Sequence, residues 1–238
     1  MPAPVLVLWD VDHTLVHAGP AGPVLYESVL AELYGLDLPA QLMSMAGRTD
    51  TSIALEVLTA AGLDAARELP RFHAFMAARA PALASMIREQ GTVLPGVRAA
   101  LAAVASHSAD GPVVQSLLTG NIPALAKVKL QALEILDQFD FDAGAYGDVS
   151  PIRADLVHAA RKNATARYGT DFSGHATVLV GDTPLDVEAA AAADARAVGV
   201  ATGRFSIAQL ADAGADVVLP DLTDTVRVTA ALLADRDG

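Results

Sequence analysis

The sequence predicts an α/β fold, a parallel sheet with helices on both faces and one long helical insertion. Three observations predict it. Short β-rich runs recur, each followed by a helical pattern, at Val5 to Trp9, Val113 to Leu118, Thr177 to Val180, Ala197 to Val200 and Val217 to Leu219. These runs are nearly continuous in apolar residues instead of alternating, as strands covered on both faces require. The interval between Leu15 and Leu94 breaks the rhythm, showing helical periodicity and no convincing strand.

Within that interval Leu25, Val29 and Leu33 line one helix face, which Gly35 stops. Ile53, Val57, Leu58 and Ala61 line a second, with Gly62 as the stop. Phe72, Phe75 and Met76 begin a third, which Pro81 splits or kinks. The Gly- and Pro-rich segments Gly19 to Pro23 and Gly91 to Gly96 are the expected hinges back to the sheet. Beyond the insertion, helices are expected near Ile122 to Leu133, Ile152 to Tyr168, Pro184 to Asp194, Ser206 to Ala213 and Asp224 to Leu233. Pro184 behind Thr183 suits a first helical position after an N-cap.

The chain of 238 residues is long enough to bury a large core, and 53% of its residues are hydrophobic. No uncharged apolar run approaches the roughly 20 residues of a membrane span. No Lys or Arg precedes Arg48, so the basic n-region of a secretory signal is missing and a soluble, cytoplasmic protein is expected. The absence of cysteine excludes disulfides, thiolate metal sites and a cysteine nucleophile. A formal charge of −12 argues against nucleic acid and anionic membranes as partners. Any anionic substrate must then be attracted locally, by a metal ion and a few placed cations.

Asp10 and Asp12 follow directly on the first strand, so two carboxylates emerge at the edge of an open α/β sheet where ligands bind. Two close carboxylates repel unless a cation or shared proton intervenes. Asp182 and Asp186 form a second acidic pair at the end of a later strand and the mouth of a helix, where either one alone reads as a cap. Capping does not explain why two strand ends, far apart in sequence, both concentrate carboxylates. Oxygen ligands from separate loops suit Mg²⁺. Thr119, Gly120 and Asn121 bring a hydroxyl and free N–H groups to a helix N-terminus, either an ordinary capped turn or a phosphate cradle. Lys129 projects within the apolar face formed by Ile122, Leu125, Ala126, Leu130 and Leu133, whereas Lys127 lies roughly opposite. A lysine so placed either snorkels or reaches a buried anion.

Together these residues resemble the haloacid dehalogenase-like superfamily, in its phosphatase branch with a helical cap inserted after the first motif. Asp10-Val11-Asp12-His13-Thr14 is similar to its first motif, Thr119 to its second, Lys129 to its third and Gly181-Asp182-Thr183-Pro184-Leu185-Asp186 to its fourth. Gly47-Arg48-Thr49-Asp50 and Leu94-Pro95-Gly96-Val97 are similar to cap and cap-exit segments of phosphoglycolate-phosphatase-like members. The resemblance implies a Rossmann-like hydrolase core, residues 1–16 and 92–238, and a helical cap, residues 17–91. It further implies that Asp10 forms an aspartyl-phosphate, that Asp12 acts as general acid and base, and that Mg²⁺ is held by Asp10, the main-chain carbonyl of Asp12 and Asp182, with Asp186 in support. Thr119, Gly120, Asn121 and Lys129 are expected to hold the phosphoryl group.

Two positions depart from the family pattern. His13 stands where glycine is common, and no lysine follows the Asp148-to-Pro151 turn, so Lys129 takes the third-motif role with Arg153 as the alternative. The expected substrate is a small phosphomonoester, with Arg48 in the cap loop contacting its leaving group and the cap closing over it. Asp12 and Thr14 point away from dehalogenases and from sugar phosphomutases respectively. A phosphomutase remains the nearest alternative, and a phosphoacceptor signalling domain a more distant one. The oligomeric state is not legible.

Overall fold

A computed structural model describes residues 2–38, 45–110 and 112–234. Residues 39–44, in the predicted insertion, and residues 1, 111 and 235–238, in the predicted core, lie outside the described residues. A five-stranded sheet organises the chain, built from β1 (Val5–Trp9), β4 (Val113–Leu117), β5 (Thr177–Gly181), β6 (Arg196–Val200) and β7 (Val217–Leu219). Its order is β4-β1-β5-β6-β7 and every pairing is parallel. The connection from β1 runs to one side and that from β4 to the other. The topological switch, where ligands bind in such sheets, therefore lies at the carboxyl end of β1.

All five residues of β1, β4, β5 and β6 are buried, which is why these strands read as nearly continuous apolar runs, with Gln115, Ser116 and Arg196 among the polar exceptions buried in them. Alternate residues of β1 serve opposite layers. Val5, Val7 and Trp9 join one apolar cluster, which also takes Leu101 of α5 (Val97–Ser106), Leu125 of α6 (Pro123–Ala132) and Val228 of α10 (Thr225–Leu233). Leu6 and Leu8 join the other, with Leu156 of α7 (Arg153–Tyr168), Val187 of α8 (Pro184–Ala192) and Leu210 of α9 (Ile207–Asp212).

Between β1 and α5 the chain forms the expected helices: α1 (Ala21–Tyr34), α2 (Asp50–Ala60), α3 (Ala65–Arg79) and α4 (Ala84–Gln90). Gly35 closes α1 in a left-handed cap, and a 3₁₀ turn over Ala80–Leu83 carries Pro81 and separates α3 from α4. Gly19 to Pro23 is not wholly a connecting segment, because α1 already begins at Ala21. Proline in the first turn of a helix leaves no hydrogen bond unmade, so Pro23 continues it without penalty. The two chain crossings are joined by a small ribbon in which β2 (Val16–His17) pairs antiparallel with β3 (Thr92–Val93). This ribbon and α5 escaped sequence reasoning; α5 nonetheless carries a legible stripe at Val97, Ala100, Leu101 and Val104.

The insertion does not bury its own separate core. Leu25 and Tyr26 of α1, Ile53 and Leu58 of α2, and Phe72 and Met76 of α3 belong to the same apolar cluster as Val7 and Trp9. Equilibrium unfolding in urea should therefore show one transition for helices and sheet alike. Phe72→Ala, at a fully buried position against Tyr26, should lower that whole transition by about 3–5 kcal/mol. Two separated transitions, with only one displaced by the substitution, would contradict the shared core.

Candidate active site

Asp10 leaves β1 with its N–H donated to Val180 O at 2.8 Å, which fixes the end of β1 against β5. Asp182 follows β5 directly, and Asp186 stands in the first turn of α8. There it completes a capping box, with Thr183 N and Oγ1 donating to Asp186 Oδ2 at 3.1 and 2.8 Å. One carboxylate oxygen from each of Asp10, Asp182 and Asp186 lies within 4.8 Å of the others, and all three residues are buried. Burial raises the pKa of Asp10, and the charges of Asp186 and Asp12 add to the rise against Arg153. Burial with the charges of Asp10 and Asp186 pushes Asp182 up to about 8. Such a cluster holds more negative charge than one cation offsets. The set is all oxygen, with no imidazole or thiolate in the group, and it suits a hard cation such as Mg²⁺.

Arg153, in the first turn of α7, supplies the one cationic side chain ion-paired to this cluster among the described residues. Its Nη2 lies 2.8 Å from Asp10 Oδ1 and 2.6 Å from Asp186 Oδ1, and its Nη1 donates to Gly47 O at 3.1 Å. Both carboxylates raise the guanidinium's pKa against the effect of burial. Asp186 Oδ1 otherwise has no hydrogen-bond donor, so it remains a free lone-pair site in a buried position.

Lys129 occupies a different place. Its ammonium donates to Asp12 Oδ1 and Oδ2 at 2.7 and 2.6 Å and to Asn121 Oδ1 at 2.8 Å. Asn121 Nδ2 in turn donates to Asp12 Oδ2 at 2.7 Å and to Thr119 Oγ1 at 2.8 Å. Burial would raise the Asp12 pKa, but Lys129 and Asn121 outweigh it and hold the carboxyl below its usual range. The Asp12 carboxylate is thus paired separately from the Asp10–Asp182–Asp186 group and lines the cavity. Lys127 is exposed, as its helix position requires.

His13 adopts a left-handed backbone, φ 62°. Glycine enters that region without the steric cost a side chain meets, so a glycine at this position has a conformational reason. Here an imidazole occupies the cavity rim instead, its ring 5.5 Å from that of His17. Burial lowers its pKa. Arg48 lines the same cavity, but its Nη2 is bonded to Glu56 two turns along α2 and to Ser52 O at 3.4 Å. One nitrogen of the guanidinium expected to meet a leaving group is thus engaged by the helix that follows it.

Two contributors were missed by sequence reasoning. The loop after β6 reaches the site, with Thr202, Gly203 and Arg204 lining the cavity. Asp50, two residues from Arg48, is buried and ties α2 to the loop that follows β4. Its Oδ2 accepts from Ile122 N at 2.7 Å, its Oδ1 accepts from Tyr26 Oη at 2.9 Å, and its own N–H donates to Gly120 O at 2.7 Å. The approach is close enough to require glycine at position 120, where a Cβ would lie 1.9 Å from Arg48 O. The signal for Asp50 was an acidic residue in the first turn of an amphipathic helix, which reads equally as a cap.

A family model for haloacid dehalogenase-like hydrolase matches residues 7–191, and the chain belongs to that family. Among solved structures, a predicted phosphatase from Clostridium acetobutylicum superposes with a TM-score of 0.67 at 16% identity, covering 95% of this chain and 98% of that one. A candidate β-phosphoglucomutase from Bacteroides vulgatus gives 0.66 at 18%, covering 99% and 91%. A hydrolase from Pseudomonas syringae gives 0.62 at 21%, covering 94% and 96%. At these identities the likeness is one of fold. No curated protein matches the chain.

Burial lifts Asp50 to about 6, against the bonds from Ile122 and Tyr26 and the charge of Lys129, with Asp12 adding to the rise. The folded state therefore binds this proton more tightly than the unfolded chain, and stability falls as pH rises from about 4 to 6. Relative to Asp50→Asn, which keeps the shape without the charge, the wild-type protein should lose about 1–3 kcal/mol over that interval. Parallel slopes for the two proteins, measured by urea unfolding in chelator, would refute the assignment.

Proposed function

We propose that the protein is a Mg²⁺-dependent phosphomonoesterase acting through an aspartyl-phosphate on Asp10. The observation that carries this reading is the separation of two carboxylates from one strand end, Asp10 in the metal-suited cluster with Arg153 and Asp12 outside it with Lys129. A nucleophile and an acid–base group need different surroundings, and these two have them.

In this reading Arg153 fixes Asp10 through Oδ1, leaving the other oxygen to attack phosphorus. Asp10, Asp182 and the main-chain carbonyl of Asp12 hold the metal, with Asp186 supporting it. Bound there, Mg²⁺ would screen the nucleophile from the phosphoryl oxygens and neutralise charge in transfer. Thr119, with the N–H groups of the Gly120–Asn121 turn, cradles the phosphoryl group. Asp12 gives a proton to the departing oxygen, a proton that the monoanion of the substrate can bring, and later takes one from water. Lys129 and Asn121 aim that carboxylate from behind; Lys129 acts on Asp12 instead of touching phosphate.

The helices of residues 17–91 serve as the cap over this edge, and the Asp50 contacts describe its docked position. Arg48 is assigned no step in this reading; its Nη2 is bonded to Glu56. The partner is a small soluble phosphomonoester, in keeping with a cavity of about 620 Å³ and the range of small-molecule sites. Among the described residues no helix is long and apolar enough to cross a membrane.

Phosphate release from a panel of phosphomonoesters tests the reading. Asp10→Asn should reduce it by ~10³-fold or more while leaving chelated protein no less stable, because one buried charge has been removed. Turnover near the wild-type rate would end the nucleophile assignment, and recovery of an isomerised phosphate ester in place of free phosphate would favour a mutase.

Chelation should abolish turnover, and excess Mg²⁺ should restore it. At ~100 times its Kd the ion should stabilise the folded protein by about 2.7 kcal/mol. Asp182→Asn should remove most of that thermal shift. Full activity in excess chelator is the opposing result.

A further inference from the structure

Resting on the phosphomonoesterase reading, we infer that the leaving-group half of the cavity is an apolar subsite, and that the substrate is a phosphomonoester carrying an uncharged, carbon-rich group, with Gly22 setting the size admitted.

The cavity, of about 620 Å³, extends beyond the carboxylates and the Thr119–Asn121 turn to the first turn of α1, the start of α2 and one face of α6. On that side the polar side chains are committed to one another. Tyr26 Oη donates to the Asp50 carboxylate and carbonyl at 2.9 and 3.1 Å, Asp50 Oδ2 accepts from Ile122 N, and Arg48 is held by Glu56 and Ser52 O. What remains to meet a ligand is carbon from Ala18, Pro23, Tyr26, Met45, Ile53 and Leu125. A carboxylate placed there would lose its water and would have to share the Arg48 guanidinium with Glu56. An apolar substituent gains from burial, at about 25 cal/mol per Å².

Gly22 lines this half of the cavity from the first turn of α1, and a Cβ built on it meets no atom within 4 Å. A side chain at this position therefore enters open space, and it also raises helix propensity. The opposite chemistry has its footholds at His13 and Arg204, which also line the cavity, and at Arg48, whose Nη2 is taken by Glu56. Arg204 is exposed and lies over the Phe205 ring, 4.9 Å from its centroid.

The test compares three alkyl esters of similar leaving-group basicity: 2-phenylethyl phosphate, ethyl phosphate and 2-phosphoglycolate. With Mg²⁺, the wild-type enzyme should show kcat/KM at least ~10-fold higher for the phenylethyl ester than for the ethyl ester. Gly22→Leu should bring that ratio close to one, and Gly22→Ala, which adds only the Cβ, should fall between. A tenfold preference for 2-phosphoglycolate, or a ratio unchanged in Gly22→Leu, overturns the subsite. Failure of wild-type enzyme to release phosphate from any ester would sink the phosphomonoesterase reading, and calorimetric binding then decides the subsite separately. 2-Phenylethylphosphonate should bind ~10-fold more tightly than ethylphosphonate, with Gly22→Leu erasing the difference; equal affinities on wild-type protein count against the subsite.

Discussion

Arg153 lies between Asp10 and Asp186, and the arrangement at the sheet edge depends on that placement. Two strand ends and one helix mouth bring three carboxylates within 4.8 Å, where their mutual repulsion and lost hydration oppose folding. A planar guanidinium can address several acceptors at fixed angles, which a single ammonium cannot. One nitrogen serves both carboxylates while the other reaches Gly47 O. The same side chain thus compensates buried charge and pins the segment leading into α2. Removing the guanidinium, the one cation both carboxylates share, would leave buried charge unpaired, a loss that typically costs about 3–5 kcal/mol.

Lys129 solves a second, separate problem. The Asp12 carboxylate stands beside the acidic cluster but must not join it, and a bidentate ammonium backed by Asn121 draws it the other way. Two buried cations therefore sort four acidic side chains into two groups. Net charge describes the molecule's surroundings poorly at this scale: a chain carrying −12 overall places its local positive charge where an anion would have to enter.

The sheet was legible because its strands are buried on both faces and so appear as apolar runs. Asp10, Asp12, Asp182 and Asp186 were legible because each sits at the end of such a run. Lys129 was found by its place in an apolar stripe, and Arg153 carries the same signal. It heads the stripe Leu156, Val157, Ala160 and Ala164 on α7, all buried with it, yet it was held only as an alternative to Lys129. The structure uses both. Asp50 and the loop carrying Gly203 were not legible, because their importance lies in contacts to residues more than 20 positions away. For Arg48 the sequence showed the place in the cap loop but not the local partner, Glu56 on the helix that follows it, to which its Nη2 is bonded.

The order β4-β1-β5 also bears on how the chain reaches this state. Val5 pairs with Val113, and Leu6 with Thr177, so the central strand finds its first partner 108 residues downstream and its second 171 residues downstream. Contacts of that separation close large loops and form slowly. At roughly 5–20 residues per second of synthesis, the strand that ends at Asp10 waits for seconds with neither edge covered. Val5, Leu6, Val7, Leu8 and Trp9 have the composition of an aggregating segment. The two aspartates that follow act during that interval as charged gatekeepers beside an exposed hydrophobic strand, a use of Asp10 and Asp12 that precedes any chemistry they perform.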